Sequence, residues 1–393
     1  MVAPGSGVVT VSHHFLNDFV MSIHQSRNSV GFAECRRSQT KQGSTDRVEL
    51  FVESVRTAGV SELGRLVRPF RDRVVFHSRG RLSVEEAAEL GRVCSTCCSA
   101  VVGLNDADGQ WDGWVFRGTE AVALDRLQIV GPGMVNAERS CLEGEGISDE
   151  ELQRASRTLG VLGAETWMRL RESRVLLIGC GRTGSLAAWE LAALGVSGLT
   201  LVDADVVELS NLNAMFGVAA SDVGRPKVLA VQEKVVTFQP GCAVSALVGS
   251  ARHPGVEQAA QNVDLIVTCV DDDAARLRAA LLARRLGKVH LDVAAGIQRV
   301  SGRVQLAGDV RLLLPGRGCV RCVGGFADEP RTWTEQLVPQ GARRIGSTST
   351  WYEQRLGSLI SLNAMTVSTG LQLWLELLQG NLESSFWQRL EWT

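Results

Sequence analysis

Residues 174–203, RVLLIGCGRTGSLAAWELAALGVSGLTLVD, decide the fold of this chain. Val175 to Ile178 is a short apolar run, Gly179, Gly181 and Gly184 spell G-x-G-x-x-G, and Ser185 to Leu194 carries apolar residues at helical spacing up to Gly195. The order is strand, tight turn, helix. A second apolar run, Leu199 to Val202, ends in Asp203, about 20 residues beyond the glycines, where a ribose-binding carboxylate is expected in a dinucleotide-type fold. Glycines let phosphate oxygens approach backbone N–H groups at a helix N-terminus, and the carboxylate accepts from ribose hydroxyls. By itself a G-x-G-x-x-G serves nucleotide binding and close helix-on-strand packing equally well.

The residues that follow separate the two readings. Asp203 and Asp205 lead into Ser210-Asn211-Leu212-Asn213, then Asp222-Val223-Gly224-Arg225-Pro226-Lys227, and later Cys269-Val270-Asp271-Asp272. Neither a hydride-transferring dehydrogenase nor a packing loop requires that polar series. Over residues 150 to 380 the chain resembles the ThiF/MoeB/E1-like adenylyltransferases, on four ordered motifs: G-x-G-x-x-G, D-x-D-x-V-x-x-S-N-L-N, D-V-G-x-P-K and C-V-D-D. The resemblance implies a Rossmann-like α/β adenylation domain with a mostly parallel sheet, using ATP and Mg²⁺. It implies a nucleotide site of Gly179, Gly181, Arg182, Gly184, Asp203, Asp205, Asn211 and Asn213, with Lys227 against phosphate oxygens and Asp271 holding Mg²⁺. Arg157, in a helix expected from Ser148 with Asp149 to Glu151 in its first turn, matches the arginine that reaches ATP phosphates in a neighbouring protomer, so a homodimer is implied. Relatives usually continue S-N-L-N with Arg-Gln. This chain has Ala214-Met215, and Arg182 is the candidate to restore the lost charge.

Length and composition bound the rest. The 393 residues suggest two domains, and 45% hydrophobic with 21% charged residues is ordinary for a globular protein. A net charge of −2 gives no electrostatic footprint for nucleic acid or an anionic membrane. With no signal-peptide pattern and no apolar stretch near ~18 residues, the expected location is cytoplasmic. Ten scattered cysteines favour reduced thiols.

Residues 1–135 read as a smaller α+β domain: helices over 14–25 and 83–102, strands over 29–35, 47–55, 113–117 and 126–130. Residues 136–150 are the expected linker, and 151–393 the adenylation domain. His77-Ser78-Arg79-Gly80 followed by Ser83-Val84-Glu85-Glu86 resembles a degenerate JAB/JAMM metalloprotease site. Arg79 stands where the second zinc-ligand His belongs, Gly80 replaces a Pro, Glu86 replaces an Asp, and Asn28 sits near the expected catalytic Glu. An arginine cannot ligate zinc, so the resemblance implies a domain without protease activity. An unrelated α+β docking module is the other reading, and substrate binding is the expected role in both. Cys94, Cys97 and Cys98 read as core of the second helix.

Cys319-Val320-Arg321-Cys322 matches the first half of the Cys₄ structural zinc site of many relatives, but the second C-x-x-C is absent. Structural zinc with ligands from elsewhere, redox chemistry and buried thiols all stay open. The loop 341–355, where acyl-transferring relatives carry a cysteine, has none. His253 and His290 lie outside the motifs and read as structural. The resemblance implies adenylation of the C-terminal carboxylate of a small ubiquitin-like or sulfur-carrier protein with a Gly-Gly tail. Activation of a ribosomal peptide, and a pseudoenzyme scaffold binding ATP and a ubiquitin-like partner, are the alternatives.

Overall fold

The computed structural model describes residues 7–12, 29–42, 45–59, 73–77, 100–104, 111–117, 120–124, 126–131, 134–138, 147–300, 303–323 and 357–392. The chain forms two compact units, Met1–Ser148 and Asp149–Thr393. Arg79, Gly80, Glu86, Asn28, the cluster Cys94, Cys97 and Cys98, the helix expected over 14–25 and the loop 341–355 lie outside the described residues.

The first unit is a nine-stranded sheet of β1 (Gly7–Ser12), β2 (Ser29–Gln42), β3 (Thr45–Gly59), β4 (Arg73–His77), β5 (Ala100–Leu104), β6 (Trp111–Arg117), β7 (Glu120–Ala123), β8 (Arg126–Val130) and β9 (Val135–Glu138). Its order is β7-β6-β5-β4-β2-β3-β1-β8-β9. The strands expected at 29–35 and 47–55 lie within a longer antiparallel pair, registered from Ser29↔Gly59 to Gln42↔Thr45. Two expectations fail here. The helix read over 83–102 cannot run to Val102, because Ala100–Leu104 pairs with β4 and β6; Val101 and Val102 are β-branched and suit a sheet. The stretch read as linker carries β9, paired with β8.

The second unit is built on α1 (Asp149–Glu172), β10 (Arg174–Ile178), α2 (Arg182–Leu194), β11 (Gly198–Asp203), α3 (Lys227–Phe238), β12 (Ala243–Val248), α4 (Pro254–Gln261), β13 (Leu265–Thr268), α5 (Asp273–Arg285), β14 (Val289–Val300), β15 (Arg303–Leu313), α6 (Ile360–Gln379) and β16 (Phe386–Trp392). The sheet order is β12-β11-β10-β13-β14-β15-β16. The first five strands are parallel; β15 pairs antiparallel with β14, and β16 antiparallel with β15. The central strands β10 and β13 are covered on both faces: Val175, Leu176, Leu177, Leu265, Ile266 and Val267 are all fully buried. Chain order reverses between β10 and β13, so the crevice at their C-terminal ends is the switch point where open α/β sheets bind ligands.

Local chemistry sets the element ends. α2 stops at Gly195, whose φ of 97° lets its N–H reach the carbonyls of Leu191 and Ala192. α1 opens with Asp149, Glu150 and Glu151, which complement the helix dipole. Gly163, at φ 77° and ψ 164°, breaks it into two arms. Glu151 and Arg171 are an ion pair at 2.5 Å, although 20 residues of straight helix would separate them by about 30 Å, so the arms fold back on each other. No described helix is long and apolar enough to cross a membrane.

Candidate nucleotide-binding site

The turn after β10 is shaped by what glycine lacks. Gly179 has φ +95°, and a Cβ there would lie 2.5 Å from the Cys269 carbonyl oxygen; a Cβ on Gly184 would lie 1.8 Å from the Gly179 oxygen. Gly181 faces open space, with nothing within 4 Å of a Cβ position. The first and third glycines therefore lock helix onto turn, and the second leaves the backbone open to a ligand.

Asp203 holds this turn. Its Oδ2 accepts from the Cys180 N–H at 2.7 Å and its Oδ1 from the Asp205 N–H at 2.8 Å. Burial pushes its carboxyl up, while those two N–H groups and Lys227 pull it back. Each oxygen keeps a second acceptor position, which a ribose hydroxyl can use. Lys227 opens α3; its Nζ is 2.9 Å from Asp205 Oδ2, and its N–H donates to the Asp205 carbonyl at 2.9 Å.

The polar loops are held from beneath. Asn211 is buried, its Oδ1 accepting from the Glu208 N–H at 3.0 Å. Asp222 is buried too, accepting from the Ala219 N–H at 2.8 Å and from Arg225 at 2.6 Å, and its carboxyl is held below the usual range, chiefly by the Ala219 N–H. In D-V-G-x-P-K the aspartate is thus the anchor that delivers Lys227. At the far side Asp272 caps α5 with both oxygens, accepting from Ala274 and Ala275 N–H at 3.2 and 3.1 Å, and Asp273 bonds Arg276 at 3.2 Å. Asp271, next to them beyond the end of β13, lines the cavity.

That cavity, about 680 Å³, is lined by Gly179, Gly181, Arg182, Asp203, Asp205, Asn211, Lys227 and Asp271 among others. Three expected residues are not in its lining. Gly184 acts through packing, Asn213 is exposed on the loop, and Arg157 is exposed on the first arm of α1. Ala214 and Met215, where relatives carry Arg-Gln, are buried, while Arg182 lies on the wall.

Sequence reading missed the floor. Asp292 is fully buried and takes the Thr268 hydroxyl proton at 2.7 Å on Oδ1, with Arg276 Nε 3.0 Å away in an ion-pair contact and Arg311 Nη1 at 3.1 Å from Oδ2. Thr268 has one proton, already donated, so its oxygen accepts from His290 Nε2 at 2.9 Å. His290 is buried, and desolvation lowers its pKa to about 4. It is structural, as is His253, which caps α4 by accepting from the Gly255 N–H. Arg276 also donates to the Val270 carbonyl at 3.2 Å and so braces the turn carrying Asp271. One local signal pointed to it: Asp273 and Arg276 are an i,i+3 pair.

Cys319 and Cys322 lie beyond β15, with sulfurs 3.6 Å apart. Among the described residues, no group of three or more His, Cys, Asp or Glu is arranged to hold a metal ion.

A parallel sheet with a glycine turn, a carboxylate closing β11, and lysine, arginine and aspartate around one cavity defines a Rossmann-type nucleotide-binding protein of the phosphate-handling kind. The chain belongs to the ThiF family, whose model matches residues 153–391. It is 32% identical to the molybdopterin-synthase adenylyltransferase of Escherichia coli strain K12 over 187 residues, 47% of this chain and 72% of that protein. It is 27% identical to the sulfur carrier protein ThiS adenylyltransferase of the same strain over 232 residues, 58% of this chain and 85% of that one. With the adenylyltransferase and sulfurtransferase uba4 of Aspergillus niger it shares 32% over 227 residues, 52% of this chain but 45% of the relative's length.

Proposed function

We propose that this chain adenylates the C-terminal carboxylate of a small ubiquitin-like or sulfur-carrier protein with ATP. The observation that carries the reading is the convergence of Asp203, Lys227, Arg182 and Asp271 on one cavity at the sheet's switch point. The substrate class is taken from the name of one relative, a sulfur carrier protein adenylyltransferase.

In this reading Asp203 accepts from the ribose hydroxyls, and the Gly181 backbone with the N-terminus of α2 receives phosphate oxygens. Lys227 and Arg182 offset the phosphate charge. The donor set fits magnesium, because a carboxylate oxygen is a hard ligand and Mg²⁺ draws its remaining ligands from phosphates and water; Asp271 is the residue that would hold it. When bound, the ion supplies electrostatic stabilisation of the triphosphate. The substrate carboxylate is ionised at neutral pH and attacks the α-phosphorus as pyrophosphate leaves. No general base is required, and the chain's task is to position the reactants and offset charge. The first arm of α1, which carries Arg157, buries none of its own residues; docking on a second copy would cover it and bring Arg157 to the partner's phosphates, making the working form a homodimer. The first unit holds the substrate protein.

The test is ATP–pyrophosphate exchange with labelled pyrophosphate, using small Gly-Gly proteins encoded beside this chain and Asp271→Ala as control. Exchange that needs both the partner and Asp271 establishes the reading. A second reading, a scaffold that binds ATP without turnover, rests on buried Ala214 in place of the arginine; it gains if ATP binds and no candidate carrier or ribosomal peptide supports exchange.

A further inference from the structure

The turn Cys319-Val320-Arg321-Cys322 is pinned from inside. Val320 is fully buried against Ala280 and Leu313, and the Cys322 N–H donates to the Cys319 carbonyl at 2.8 Å. That anchoring leaves both thiols at the rim, Cys319 half-buried and Cys322 exposed, with sulfurs 3.6 Å apart.

A tetrahedral structural zinc site needs four ligands, drawn mostly from Cys and His. The sequence from 323 to 393 contains neither. The other cysteines of the second unit, Cys180, Cys242 and Cys269, are buried; His290 is held by Thr268, and His253 caps α4. Among the described residues, the second unit therefore brings no further Cys or His to Cys319 and Cys322. Two adjacent thiols with no further Cys or His beside them among the described residues have a different chemistry open to them.

We propose that Cys319 and Cys322 are a reactive dithiol that exchanges with low-molecular-weight disulfides and closes to an intramolecular disulfide. The Cys322 thiolate attacks one sulfur of R–S–S–R, breaking that bond and expelling one R–S⁻. Cys319 then loses its proton to solvent and attacks the Cys322 sulfur, expelling the second R–S⁻. Two protein thiols are oxidised by two electrons, one small disulfide is reduced to two thiols, and the protons lost by the cysteines end on the leaving groups. Closure brings the sulfurs from 3.6 Å to about 2.05 Å, a distance that rotation of the exposed Cys322 side chain covers while Val320 stays buried. Cys322 is the attacking thiol because it is exposed, whereas Cys319 is half-buried, so a small disulfide reaches Cys322 first. Cys180 and Cys269 are buried beside the glycine turn and out of reach of such a disulfide.

Trypsin cuts after Arg317, Arg321 and Arg331 and so separates the two cysteines. The full-length reduced protein is incubated with oxidised glutathione, its remaining thiols are alkylated, and the digest is analysed by mass spectrometry. The expected product is peptide 318–321 joined to peptide 322–331, absent before oxidation and removed by dithiothreitol. The Cys319→Ser variant is expected to stop at a glutathione adduct on Cys322. The proposal is overturned if both wild-type peptides are recovered fully alkylated, if Cys322 is linked to a different peptide, or if the purified chain carries a zinc ion that resists glutathione and is lost in Cys319→Ser. None of these outcomes depends on whether the chain adenylates anything.

Discussion

Replacing Asp292 by alanine is expected to destabilise the second unit by about 3–5 kcal/mol, the range for removing one partner of a buried ion pair. Asp292 is fully buried, and its two oxygens face Arg276 at 3.0 Å and Arg311 at 3.1 Å; the arginine side chains are only 10% and 5% exposed. Neither guanidinium can shed its proton, so the variant leaves two buried positive charges with no carboxylate between them. Asp273 at 3.2 Å from Arg276 and Asp309 at 3.6 Å from Arg311 remain, which favours the lower end of that range. Urea unfolding of the full chain, followed by far-UV circular dichroism, measures the change. A loss below about 1 kcal/mol, the net worth of an ordinary hydrogen bond, would refute the reasoning. If the charges are the cause, adding Arg276→Leu and Arg311→Met to Asp292→Leu should recover most of the loss.

Gly184→Ala is expected to disrupt the turn, because its Cβ would lie 1.8 Å from the Gly179 oxygen; an unchanged melting temperature with unchanged ATP affinity would contradict the packing role given to this glycine. Arg182→Ala should slow pyrophosphate exchange by about 100- to 1,000-fold, the usual effect of losing one charge-stabilising donor, and equal rates would remove Arg182 from the phosphate site. His290 makes stability fall with acid. Its pKa drops from 6.5 to about 4 on folding, so above pH 6.5 both states are neutral and nothing is lost. Between the two values the unfolded chain takes up a proton that the folded chain does not, for a loss of at most about 3 kcal/mol. His290→Gln should flatten that slope in urea titrations, and an unchanged slope would assign it to other groups.

The nucleotide core was legible because its signals are local. β10, α2 and β11 each announce themselves within about a dozen residues, through apolar period and glycine position. The long β2 and β3 were read short, since polar residues such as Arg36, Arg37 and Asp46 hide a strand whose partner lies across a hairpin. β5 was taken for the end of a helix because pairing with β4 and β6 overrides an ambiguous apolar run.

The sequence by itself determined the α/β class, the glycine turn and the carboxylate at the end of its partner strand, because each is a short-range pattern with one structural solution. Only the tertiary structure decided the floor beneath them. Thr268, Asp292 and Arg311 are 24 and 19 residues apart along the chain, yet strand register sets Thr268 opposite Asp292 and Asp292 opposite Arg311, in one row across three strands. Arg276 reaches that row from the helix above. Charges that offset one another only after three strands have paired carry no local signature, and their meeting is a property of the sheet.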